Sequence, residues 1–359
     1  MKNVRHLRIV TGLVALFACA ANAGTPPDHV DITWMSITNM YFDLGSTHVL
    51  ADGYITRLPQ ENFSGGTSGF GKTQRPVLPD VAAVKEVFDA LGGKSAFNLL
   101  ITGHNHFDHV FDTGTWAKLS GARVIGARTT CLQVRAQRLP AKRCTAVEGG
   151  EKFELAPGVE MYVVRWNHSG DNVKVPELHM PRELVAVPKP AADGALRAGV
   201  TEDFPNGGGN RAYLFTVDGP AGKFSWFFQD SGSPVDLTEP IIVAGKNYGA
   251  PLANLAAALK TAGVESVDLW IATGGADIAK LVLPVLKPKA YLPVHWDGLF
   301  GAFKAGPPQP YSDDDLAQLL AGSHIELVKP LQYMDKWRLG PDGIRPIDNT
   351  AVKTALGFH

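Results

Sequence analysis

The sequence predicts an α/β fold. Short apolar runs of strand length alternate with stretches whose apolar residues recur at helical spacing. The 359 residues are 45% hydrophobic and 19% charged, which leaves ample material for a buried core. Length alone suggests two domains. Residues 1–23 stand apart from the fold and read as a signal peptide. Lys2, Arg5 and Arg8 make a basic start, residues 9–18 are apolar but too short to span a bilayer, and Ala21-Asn22-Ala23 supplies the small residues a signal peptidase reads. A periplasmic or secreted protein, cleaved before Gly24, is the expectation. Leu16-Phe17-Ala18-Cys19 makes a poor lipoprotein box, because bulky Phe17 stands where a small residue is usual. Lipid anchoring at Cys19 is the lesser alternative, and no transmembrane segment is expected in the mature chain.

In chain order, residues 32–36 and 47–50 read as early strands. Val81, Val84, Phe88 and Leu91 repeat at helical spacing behind Asp80, whose carboxylate suits an N-cap. Residues 97–101 form an apolar run that stops at Gly103, as a buried strand does. Residues 159–166, 211–217 and 224–228 look like further strands. Pro251 starts a helix with the stripe Leu252, Leu255 and Leu259, and Gly263 stops it. Residues 267–271 and 290–294 are strands again, and Ser312, followed by Asp313, Asp314 and Asp315, caps a last helix. Two segments break the rhythm: 54–79, rich in Gly, Ser and Pro, and 172–209, which ends in Asn206-Gly207-Gly208-Gly209. Connections this long are functional or disordered, so both are expected to border the functional cleft.

The chain carries 34 basic and 35 acidic residues, a net charge of −1. Nothing in that balance suits nucleic acid or an acidic membrane surface, and a small-molecule substrate fits better. Residues 66–73 match the phosphate-loop pattern GxxxxGK[ST]. The stretch before them, Gln60-Glu61-Asn62-Phe63, is mostly polar, and Pro76 and Pro79 stop any helix behind. No nucleotide triphosphate is expected there, only a Gly-rich loop. Cys131 and Cys144 remain once Cys19 is removed. They can pair in an oxidising compartment, with two buried free thiols as the equal alternative.

The densest chemical signal is Thr102-Gly103-His104-Asn105-His106-Phe107-Asp108-His109, straight after an apolar run. Three histidines and an aspartate so close together are hard to explain as packing. His104 and His106, two apart in an extended loop, can point the same way and hold one metal. Asp108 and His109, on the turn that opens the next helix, can reach a second. Imidazole nitrogen and carboxylate oxygen suit zinc, and iron and manganese accept related sets.

These residues resemble the HxHxDH signature of the metallo-β-lactamase superfamily, and the likeness continues in order over roughly residues 30–330. His168, in Trp166-Asn167-His168-Ser169-Gly170, matches the third ligand of the first metal. Asp230, in Phe228-Gln229-Asp230-Ser231-Gly232, matches the bridging carboxylate. His295, in Leu292-Pro293-Val294-His295-Trp296, matches the last ligand of the second metal. Asp52, in Leu50-Ala51-Asp52-Gly53, matches an aspartate that supports the ligand loop rather than binding metal. The other mature histidines, His29, His48, His179, His324 and His359, read as structural or exposed, with a substrate-facing His179, in the long 172–209 loop, as the lesser alternative.

The resemblance implies a four-layer αβ/βα sandwich of two mixed β-sheets with helices on the outer faces. Residues 24–359 then form one catalytic domain with two pseudo-equivalent halves, against the two domains that length suggests. It also implies two Zn2+ per chain, with iron or manganese as alternatives, and a hydrolase in which a hydroxide bridging the metals is the nucleophile. Asp108 would orient that nucleophile and pass on its proton. The turn Trp166-Asn167-His168-Ser169 differs from the Pro-Gly-His-Thr of penicillin-degrading and glyoxalase-type members. Pro293-Val294-His295-Trp296 and residues 209–214 look more like the branch of ascorbate-phosphate lactonase and N-acyl-phosphatidylethanolamine phospholipase D. An ester, lactone or phosphodiester is therefore expected, with β-lactamase activity or a non-catalytic metal-binding or sensor role as alternatives. Flavodiiron relatives put Glu where this chain has His106, which speaks for hydrolysis.

Overall fold

The computed structural model describes residues 24–358; the expected signal peptide, its cleavage site, Cys19 and His359 lie outside the described residues. The strands that build the fold are β1 (Val30–Ser36), β2 (Asn39–Asp43), β3 (His48–Ala51), β4 (Leu99–Ile101), β5 (Arg123–Gly126), β6 (Cys144–Ala146), β7 (Lys152–Ala156), β8 (Val159–Trp166), β9 (Asn210–Gly219), β10 (Gly222–Gln229), β11 (Leu269–Ala272), β12 (Ala290–Pro293), β13 (Glu326–Leu327), β14 (Asp335–Gly340) and β15 (Gly343–Ile347). They form one sheet in the order β15-β14-β1-β2-β3-β4-β5-β6 and a second in the order β13-β12-β11-β10-β9-β8-β7. Both sheets are mixed. The first turns from antiparallel to parallel at the β3–β4 pair, the second at the β10–β11 pair.

The long apolar runs of the second sheet have a physical reason: both faces are covered. Along β8, Val159, Met161 and Val163 face the core shared with the first sheet, while Tyr162, Val164 and Trp166 join a separate cluster beneath the outer helices. The sheets meet through aromatic rings. Phe42 of β2 lies 5.6 Å from both Phe215 of β9 and Trp226 of β10, and those two stack at 4.6 Å.

The helices are α1 (Val81–Ala90), α2 (Phe107–Val110), α3 (Thr113–Ser120), α4 (Arg128–Ala136), α5 (Pro176–His179), α6 (Pro251–Ala262), α7 (Ala276–Leu286), α8 (Asp314–Gly322) and α9 (Thr350–Leu356). Residues of α1, α3 and α9 pack outside the first sheet, and those of α6, α7 and α8 outside the second, which completes the four layers. Among the described residues no helix is long and apolar enough to cross a membrane. Asp80 caps α1 by accepting from the Ala83 N–H at 3.0 Å. Pro251 opens α6, and Gly263, at a φ of 66°, closes it.

Three expectations need correction. Strand β2 is absent from the sequence reading, although it lies in the middle of the first sheet. The cap of α8 is Asp313, accepting from the Leu316 N–H at 2.9 Å, rather than Ser312. Nor is α8 the last helix, because the chain returns through β14 and β15 to the edge of the first sheet and ends in α9. Cys131 and Cys144 are joined as a disulfide, tying α4 to strand β6 at the sheet edge.

The long loops carry some structure. Residues 65–71 form the tip of a small hairpin between Phe63–Ser64 and Lys72–Thr73, and the next helix begins only at Val81. A phosphate loop needs a helix start at that lysine, so the motif is one of sequence alone. The two loops hold each other. Glu177 accepts from Ser68, Glu202 from the Thr73 N–H at 2.7 Å, and Val77 bridges Leu196.

Candidate metal centre

Every sequence-predicted site residue lies just beyond the C-terminal end of a strand. Asp52 follows β3, His104, His106, Asp108 and His109 follow β4, His168 follows β8, Asp230 follows β10, and His295 follows β12. These ends converge on one edge of the sandwich, where ligands collect in open α/β sheets. Gly103 makes the convergence feasible. A Cβ there would sit 2.1 Å from the Asp230 carboxyl carbon, so any side chain would push Asp230 away.

The structure brings all seven candidate ligands together in three overlapping groups that could each hold an ion: His104 with His106 and His168, Asp108 with His109 and His295, and His104 with His109 and Asp230. The last group draws one histidine from each of the other two, the position a bridging carboxylate would occupy. All seven are buried except His295, whose side chain is 23% exposed and marks the mouth of the site.

The hydrogen bonds fix the tautomers. His168 Nδ1–H donates to the Ser169 carbonyl at 2.8 Å, and His104 Nδ1–H to Asp230 Oδ2 at 3.0 Å. Their Nε2 lone pairs therefore face each other, 3.0 Å apart, which calls for a cation. His109 Nδ1–H is held by Asp52 Oδ2 and Thr38 Oγ1, both at 2.9 Å, leaving Nε2 beside Asp108 at 3.1 Å. The buried His106 Nε2 and Asp230 Oδ1 have no hydrogen-bond partner. Neutral imidazoles, opposed lone pairs and orphaned donor atoms fit divalent metal ions at both main groups.

Electrostatics agree. Burial drives His104 and His168 well below the usual imidazole range and takes His106 down to about 3, so their lone pairs stay free. Burial alone would raise Asp108, but His109 and His295 outweigh it and hold the carboxylate well below its ordinary value. Burial would likewise lower His109, yet Asp108 and Asp52 raise it well above, so this corner of the site demands positive charge. Asp52 is pushed up to about 6 by burial and by Asp230.

Several supporting residues escaped the sequence reading. Thr38 donates to Asp52 Oδ2 at 2.6 Å, and Asp52 Oδ1 accepts the Gly103 N–H at 3.1 Å. Asn105, between the first two histidines, points away from the metals and donates to Thr130 and Gln133 of α4 at 2.7 and 2.8 Å. Asp297, behind His295, is buried and bonded to Ile37 and Tyr333. The only sequence hint was Asp297-Gly298, which reads as an ordinary turn pair. His179 does not face substrate. Its Nδ1 bonds the His168 carbonyl at 2.8 Å and its Nε2 lies 3.0 Å from Asp236, so it braces the loop that carries His168. Both long loops do border the site: Phe63 and Phe70 of the first pack on Phe107 beside the ligand loop, and His179 of the second bonds the carbonyl of His168. An open cavity of about 450 Å3, lined by Glu160, Thr216, Ser225, Gly263, Asp268 and Lys289, lies at the other end of the second sheet and contains none of these residues.

Two mixed sheets back to back, helices outside, and a histidine–aspartate cluster at strand ends along one edge define the metallo-β-lactamase fold, and this chain has it. No protein-family model matches the chain. A protein of Pyrobaculum arsenaticum described as a UPF0173 metal-dependent hydrolase is 25% identical over 142 residues, 40% of this chain and 52% of the relative. The chain thus spans only about half the length of that relative. Among solved structures, a metallo hydrolase from Ignicoccus hospitalis aligns with a TM-score of 0.49 at 11% identity, covering 86% of this chain and 98% of that one. The metallo-beta-lactamase fold protein YhfI from Bacillus subtilis aligns with a TM-score of 0.45 at 12% identity, covering 87% and 99%.

Proposed function

We propose that the protein is a metal-dependent hydrolase that holds two metal ions, zinc by the chemistry of its ligands, and cleaves an ester, lactone or phosphodiester bond in a small molecule. The observation that carries this reading is that Asp230 groups with His104 of the three-histidine set and with His109 of the Asp–His–His set, so it lies between the two. His104, His106 and His168 would hold one ion, Asp108, His109 and His295 the other, and Asp230 both. A metal-dependent hydrolase among the relatives is consistent with this. Export to an oxidising compartment is part of the proposal, and the Cys131–Cys144 disulfide supports it.

Metal ions bound here would lower the pKa of a coordinated water towards neutrality and polarise the oxygen of the scissile bond. The chain's own groups do the rest. Asp108, whose carboxylate lies 3.1 Å from His109 Nε2 and 3.2 Å from His295 Nε2, can take a proton from the attacking water and return it to the leaving group. Asp52 and Thr38 fix the His109 tautomer, and the Ser169 carbonyl fixes that of His168. His295, the most exposed of the seven, marks the side from which substrate enters.

The test is elemental analysis of the purified protein combined with a screen of esters, lactones, phosphodiesters and β-lactams. About two zinc ions per chain, and hydrolysis abolished by chelation and restored by zinc, are expected. Full turnover after verified demetallation would sink the mechanism. Turnover confined to β-lactams would overturn the substrate class.

A further inference from the structure

The turn between β1 and β2 does more than reverse the chain. Ile37 is fully buried, yet it sits at a φ of 48°, a left-handed conformation that β-branched residues rarely adopt. Asp297 holds it there: both carboxylate oxygens accept the Ile37 N–H, at 3.1 and 3.0 Å. Fixed in this way, the Ile37 carbonyl accepts the backbone N–H of His295 at 3.0 Å. His295 is itself left-handed, at a φ of 65°. The next residue, Thr38, bonds Asp52 and His109. The two histidines of the Asp108 group therefore hang from adjacent residues of one turn.

Asp297 is fully committed to that task. Its side chain has no exposed surface, the Tyr333 hydroxyl donates to it at 2.6 Å, and the Arg57 guanidinium lies 3.7 Å away. Arg57 in turn donates to the Tyr333 hydroxyl at 3.2 Å and to the Gly298 carbonyl at 3.1 Å. The charge is balanced and the oxygens are occupied, so Asp297 is not itself a ligand, although it stands two residues from one.

We propose that Asp297 is a positioning residue for one metal only: acting through Ile37, it sets the aim of His295, and its loss weakens binding at Asp108–His109–His295 while sparing His104–His106–His168. The proposal rests on the two-metal reading above. A purely structural carboxylate would loosen the fold and weaken both ions alike.

The test titrates metal-free wild type, Asp297→Asn and Tyr333→Phe with Co2+, followed by its visible absorbance, with zinc stoichiometry from elemental analysis. Asparagine keeps an acceptor for Ile37 but loses the charge that faces Arg57. In Asp297→Asn one equivalent should bind as in wild type and the other at least about tenfold more weakly, since tenfold corresponds to a single lost interaction of modest strength. Tyr333→Phe should shift the same equivalent by less. Two equivalents of unchanged affinity in both variants would overturn the proposal, as would equal weakening of both ions. Should Asp297→Asn fail to fold, Tyr333→Phe decides alone by the same criteria. A wild type that takes up no second equivalent overturns the two-metal reading and this proposal with it, a failure visible before any variant is made.

Discussion

At Gly103 the missing side chain is what lets Asp230 reach the ligand loop. Gly103→Ala should displace the Asp230 carboxylate, because the added Cβ would lie 2.1 Å from it. Elemental analysis should find both ions depleted in a protein whose circular dichroism is unchanged; two retained ions would contradict the shared role of Asp230. Asp230→Asn should likewise weaken both, while His179→Ala should keep two ions. The cost of His179→Ala falls on stability instead, about 1–3 kcal/mol by chemical denaturation, since the buried His168 carbonyl loses its partner. The seven candidate ligands were legible because four sit in one short motif and three follow apolar runs in a familiar order. Thr38 and Asp297 were not. Each works through partners far off in sequence, Asp297 through Ile37 at a separation of 260 residues, and nothing local marks such a pairing.

At the scale of elements, α4 joins the sheet edge to the metal loop. Its Cys131 is bonded to Cys144 in β6, and its Thr130 and Gln133 hold Asn105. A disulfide closing 13 residues contributes about 3 kcal/mol in the chain-entropy account. Reduction, or replacement of both cysteines by alanine, should lower stability by that order and speed amide exchange at residues 104–106; unchanged exchange would show that α4 does not brace the loop. Strand β1 is tied to β14 by Asp31, which pairs with Arg338 at 2.7 Å and Lys336 at 3.2 Å. Burial would raise Asp31, but the hydrogen bond from Arg338 and the charge of Lys336 outweigh it and lower its pKa. A depressed carboxylate adds stability that is fully present above its unfolded value of about 3.9 and is lost as the pH falls through the lower folded value. The denaturation midpoint of wild type should therefore exceed that of Asp31→Asn at neutral pH and converge on it in acid. Strands such as β8 were readable because both their faces are apolar. The short β2 and the C-terminal hairpin were not, since their pairing with β1 comes from opposite directions along the chain.

Across the whole molecule the four-layer architecture followed from the motif order and not from chain length, which pointed to two domains. Binary patterning marks buried faces but does not say that two sheets share one core; the Phe42, Phe215 and Trp226 contacts supply that, and they are non-local. The placement of the ligands has a consequence for cohesion. His104, His106, Asp108 and His109 come from the first sheet's half, and His168, Asp230 and His295 from the second, so each group straddles the seam. A chain cut between β6 and β7 would yield two fragments, neither owning a whole site. Metal uptake and adhesion of the halves are then a single equilibrium seen from two sides. Each ion at a hundredfold excess over its dissociation constant should add about 2.7 kcal/mol against unfolding, and calorimetry should show the melting temperature climbing with zinc. In a metal-poor compartment the same protein would be the looser of its two selves, its halves held by their shared apolar core and by the Ile37 contacts with His295 and Asp297, without whatever metal would add as a rivet.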